Sequence, residues 1–127
     1  MTDKEFNALK KRIWPLCKKW RAMLGLKWWR ITYVWDREST GRDTGTTQYK
    51  ECATNSVQWA YKDAKITFNM PCLMDEPDEE LEKDVIHEHV HILVNEMRYF
   101  DEGVCHEERV VSDLTCAFQW TYDHLEK

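Results

Sequence analysis

His87-Glu88-His89-Val90-His91 is an H-E-x-x-H pattern set in a segment with helical periodicity. Residues four apart on a helix point the same way, so His87 and His91 can hold one zinc ion together. Glu88, between them, is placed to take a proton from a water at that ion. The chemistry on offer is hydrolysis of a peptide bond in a peptide or protein substrate. The plainer alternative is a polar helix with scattered histidines. Against it, three of the five histidines of the chain fall in this one window. His89 projects from nearly the opposite side of the helix and reads as a partly exposed or core-edge residue.

A catalytic zinc usually keeps three protein ligands and an open position. Val94 and Met97 stand where a longer motif would place Gly and His, so the third ligand must come from elsewhere. Glu107 and Glu108, at the start of the following helix, are the candidates. Glu107 lies at the centre of that helix's apolar stripe, where a carboxylate needs a partner. Glu108 lies on the flank that matches the flank of the histidines. Cys105 and His106 rank lower because they fall in the turn. For the oxyanion, Tyr61, Tyr99, Tyr122 and His124 are all open.

The elements that must position these residues can be read from periodicity. The acids and proline of Asp75-Glu76-Pro77-Asp78-Glu79-Glu80 predict a helix start, with Pro77 at the first helical position. Ile86, Val90, Leu93, Val94 and Met97 then form its buried stripe. A turn around Gly103 leads to a last helix with an inner face of Val110, Val111, Leu114, Ala117, Phe118 and Thr121. A turn this short predicts antiparallel packing of the two helices.

Upstream, residues 3–24 predict a helix with a stripe of Phe6, Leu9, Ile13, Leu16, Trp20 and Leu24 and a stop at Gly25. Pro15 should kink it or start a second helix. Alternation predicts strands over 27–36, 53–61 and 64–70, with a turn at 61–64 and a polar loop over 37–50. A peptide substrate could add as a strand near 64–70. The expected fold is α+β: a small antiparallel or mixed sheet packed on an N-terminal helix, the motif helix and a C-terminal helix, in one domain spanning 1–127.

Composition sets bounds. No apolar run could span a membrane, and the charged, amphipathic first twelve residues do not read as a signal peptide. Five cysteines without paired C-x-x-C spacing point to reduced thiols and a cytoplasmic setting. Residues 1–30 hold nine Lys/Arg against two acids, whereas the remainder holds nine against twenty-one. The basic first helix, with Lys10, Lys11, Lys18 and Lys19, could contact nucleic acid or an acidic regulator. That makes a zinc-stabilised, non-catalytic binding module the competing function. The oligomeric state is not legible.

The order of elements resembles a small zincin, with a sheet before the H-E-x-x-H helix and a glutamate-bearing helix after it. More closely, the chain resembles the compact metallopeptidase-like proteins of phages and prophages. The resemblance rests on Ala64-x-Ile66, His87–His91 and Glu108-Arg109-Val110-Val111-x-x-Leu114-Thr115. The SprT-like and ImmA/IrrE-like groups stay open as relatives. Resemblance to glutamate-type zincins implies a third ligand that begins a helix, with small or polar residues one turn later. Ser112 and Thr115 suit Glu108 in that role. The implied site is zinc held by His87, His91 and Glu108, with Glu107 as the alternative ligand and Glu88 as the base.

Overall fold

The computed structural model describes residues 1–38, 42–43, 50–95 and 104–125, with the side chains at 42, 43, 50, 51 and 104–106 excepted. Helix α1, Asp3–Met23, starts at a capping box: Thr2 Oγ1 accepts from the Glu5 amide and Glu5 Oε1 accepts from the Thr2 amide. Leu9, Ile13, Cys17 and Trp20 form its buried face. The helix runs through Pro15 without a break. Pro15 lies on the exposed side, where water can satisfy the carbonyl its ring deprives of a partner. Gly25, at φ +72°, turns the chain after the helix.

Strand β1 is Arg30–Asp36, β4 is Ala53–Gln58 and β5 is Asp63–Asn69. They form a mixed sheet in the order β1-β5-β4: β1 runs parallel to β5, with Arg30 opposite Asp63, and β4 runs antiparallel, with Ala53 opposite Phe68. β5 is therefore the centre of the sheet, and residues 64–70 offer no free edge to a substrate; among the described residues, β4 and β1 are the outer strands. A two-residue ladder, β2 (Arg42–Asp43) with β3 (Lys50–Glu51), falls in the stretch expected to be loop and one residue past its end. β4 stops three residues short of its expected end, because Trp59–Tyr61 coil into a 3₁₀ turn closed by Lys62 at φ 53°.

A short helix not foreseen from periodicity, α2 (Met70–Leu73), buries Met70 and Leu73. Cys72 within it is disulfide-bonded to Cys52, which overturns the expectation of reduced thiols for this pair. C-x-x-C spacing is no guide where strand pairing brings two distant cysteines together. Cys17 and Cys116 are free.

Helix α3, Asp78–Val94, is capped by Pro77, one residue before the position expected of it. Leu81, Val85, Ile86, His89, Val90 and Ile92 are buried. Leu93 is not: it is 43% exposed. The buried face is wider than one stripe because α3 has neighbours on several sides. Arg12 and Lys19 of α1 pair with Asp78 and Glu82, and β4 and the last helix also pack on it. That helix, α4 (Val104–Asp123), faces inward through Glu107, Val111 and Thr115, with Leu114, Phe118 and Tyr122 partly buried. Ala117 and Thr121 face solvent instead. The two helices are antiparallel: Glu107 meets His91 near one end and Gln119 meets the Glu79 carbonyl near the other. The result is an α+β fold in which α3 packs on the sheet and is flanked by α1 and α4.

Candidate metal centre

His87 and His91 project from one side of α3 toward the first turn of α4. Their Nε2 atoms are 3.2 Å apart. Glu108 brings one carboxylate oxygen to 2.9 Å from His91 Nε2 and the other to 3.4 Å from His87 Nε2. Donors bound tetrahedrally to one zinc at about 2.0–2.1 Å stand about 3.3–3.4 Å from each other. The three side chains are thus gathered at the spacing that a shared small cation requires, and could hold one. His91 is buried, whereas Glu108 is about half exposed, so the site opens to solvent on one side.

Glu107 has a different task. Its buried carboxylate meets His91 Nδ1 at 2.8 Å, on the side of the ring away from the convergence point. A proton held on Nδ1 by this partner leaves the Nε2 lone pair free for a metal. Burial alone would lower the pKa of His91, but hydrogen bonds to Glu108 and Glu107 outweigh it and raise it. Those from His87 and His91 hold Glu108 well below the usual carboxylate range.

Glu88 is 6% exposed. Burial raises its pKa, opposed by a hydrogen bond from Asn55. Asn55 Nδ2 donates to Glu88 Oε2 at 2.6 Å, from the middle of edge strand β4. This contact has no sequence signal, since it joins a strand and a helix far apart in the chain. His89 is fully buried, not at the core edge: Nδ1 bonds the Val85 carbonyl and Nε2 bonds Tyr33 Oη, both at 2.7 Å. Desolvation lowers its pKa to about 4, so it is a neutral core residue.

The remaining candidates divide. The Tyr61 side chain is exposed at the turn before β5, Tyr122 packs on Trp20, and His124 stacks on Trp120, so none of these contacts places an oxyanion donor at the site. Tyr99 and the side chains of Cys105 and His106 lie outside the described residues. A cleft of about 540 Å³ lined by Arg12, Glu79, Glu82 and Gln119 holds none of the metal donors. No described helix is long and apolar enough to cross a membrane.

Compared with family models, curated proteins and solved structures, the chain gives no match in any of the three.

Proposed function

We propose that the protein is a zinc-dependent metallopeptidase with a minimal zincin-like arrangement. The observation that carries this is the convergence of His87 Nε2, His91 Nε2 and the Glu108 carboxylate, with buried Glu88 on the same helix. Two imidazoles and one carboxylate are a donor set that catalytic zinc uses, and an open side leaves room for substrate. The same set also suits ferrous iron. A buried carboxylate one residue from the first ligand favours hydrolysis, because it serves proton transfer and adds nothing to metal retention. When bound, zinc supplies Lewis acidity, lowering the pKa of a water and polarising the scissile carbonyl.

The chain's own residues supply the rest. Glu107 orients His91. Asn55 holds one oxygen of Glu88, leaving the other to accept a proton from the attacking water. As the water oxygen bonds to the carbonyl carbon and the C–N bond breaks, Glu88 returns that proton to the leaving nitrogen. The outer edge of β4, which carries Asn55 and is unpaired among the described residues, is where an extended peptide would add as a strand.

Elemental analysis of the purified protein should give about one zinc per chain, lost in His87→Ala. Glu88→Gln should keep zinc and fold but abolish cleavage of a peptide pool read by mass spectrometry. No zinc after reconstitution at neutral pH, or full turnover by Glu88→Gln, would overturn the proposal.

A further inference from the structure

The side of the sheet away from the helices is polar. Arg30, Thr32, Ser56, Gln58 and Lys65 on this side are all exposed. Strand register sets them in two rows, Arg30-Asp63-Gln58 and Thr32-Lys65-Ser56. The first row adjoins a corner rich in aromatic rings. There the turn after α1 and the turn before β5 are joined by the Arg30 amide, which donates to the Lys62 carbonyl at 2.9 Å. Arg21 binds the carbonyls of Leu26 and Trp29, and Trp29 is buried as an anchor. Trp28 and Tyr61, by contrast, are 69% and 82% exposed. Lys62 Nζ lies 5.4–6.0 Å from the rings of Trp28, Trp29 and Trp59.

Two large rings in solvent therefore stand at a corner with Lys27 and Lys62, and two further cations, Arg30 and Lys65, continue from it across the sheet, with Asp63 between them in the first row. This holds in a chain of net charge −5. Exposed rings stack on unpaired bases and cations follow a phosphate backbone, largely regardless of sequence. We propose that this open sheet face and its Trp28–Tyr61 corner bind single-stranded nucleic acid.

The layout discriminates among polyanions. A duplex keeps its bases stacked and gives the rings nothing to pair with. A membrane surface calls for an apolar wedge ringed by cations. Here Arg30 and Lys65 run away from the rings, among Thr32, Ser56 and Gln58, as a path suited to a chain. The first helix is a weaker candidate than its composition suggests. Lys19 pairs with Glu82 and Arg12 pairs with Asp78, and neither cation stands beside a strongly exposed ring.

The test is fluorescence anisotropy of a labelled oligothymidylate of about 12 nucleotides, titrated with the full chain at low salt. Saturable binding is expected, with a log–log salt slope near −3, from four cations at about −0.7 each. Trp28→Ala and Tyr61→Ala should each weaken binding about ten-fold, and Trp28→Phe should recover most of the loss. Thr32→Glu and Ser56→Glu, which remove no packing, should weaken it by a similar factor. Lys11→Glu on α1 should not, and neither should His87→Ala, since the metal centre lies on the helix side of the sheet. Absence of binding at low salt would overturn the proposal. So would equal affinity for duplex, tighter binding of an acidic peptide or anionic vesicles, or a loss in Lys11→Glu that matches Trp28→Ala.

Discussion

Glu107 and Glu108 are neighbours in sequence with different surroundings. One is buried against the far nitrogen of His91; the other is half exposed at the convergence of both histidines. Their removal should therefore read out differently. Glu108→Ala is expected to lose a ligand and most of the zinc affinity. Glu107→Gln should still bind one zinc, with affinity about 10–100-fold lower, because an orienting partner is weakened rather than a donor removed. Competition against a zinc chelator measures both. Asn55→Ala should leave zinc content unchanged while cleavage slows about 10–100-fold, because Glu88 is no longer held in place; single-turnover rates check this. At this scale the sequence shows the histidine pair and Glu88 plainly, because spacing along one helix is local information. It leaves the two glutamates open until the rotation of α4 is known. It is silent on Asn55, whose partner is set by how a strand meets a helix.

At the scale of elements, alternation and helical period locate α1, β1, β4, β5, α3 and α4. They do not give the order β1-β5-β4, because pairing β1 with β5 is a choice between strands far apart in the chain. The Cys52–Cys72 link depends on the other pairing, β4 with β5: it joins the residue before β4 to α2, just beyond β5. Cys72→Ser should lower unfolding free energy by about 3 kcal/mol, the usual value for closing a loop of this size. Denaturant titration of oxidised and reduced protein checks it, and the two forms of the variant should coincide.

For the whole molecule, the electrostatic cost of the helix side can be measured. Burial, followed by a hydrogen bond with Glu76, raises the pKa of Asp84 well above the usual carboxylate range. Between about pH 4 and that raised value the folded state holds a proton that the unfolded state has released. Stability contributed at this site therefore falls as pH rises through that window. Asp84→Asn, which stays neutral, should flatten the fall and stabilise the protein at alkaline pH by on the order of 1–3 kcal/mol. Thermal unfolding across pH reads the slope. An unchanged slope would show that Asp84 and Glu76 do not share the proton.

All three candidate metal donors come from residues 87–108, on two antiparallel helices that follow each other in the chain. The sheet is closed by a parallel pairing that must bring Arg30 to Asp63 across everything between them. Local contacts form early in folding and distant ones late. On the proposed reading, a metal held by these donors would tie the last two helices to each other, and the sheet would still have to be held by its own pairings and core.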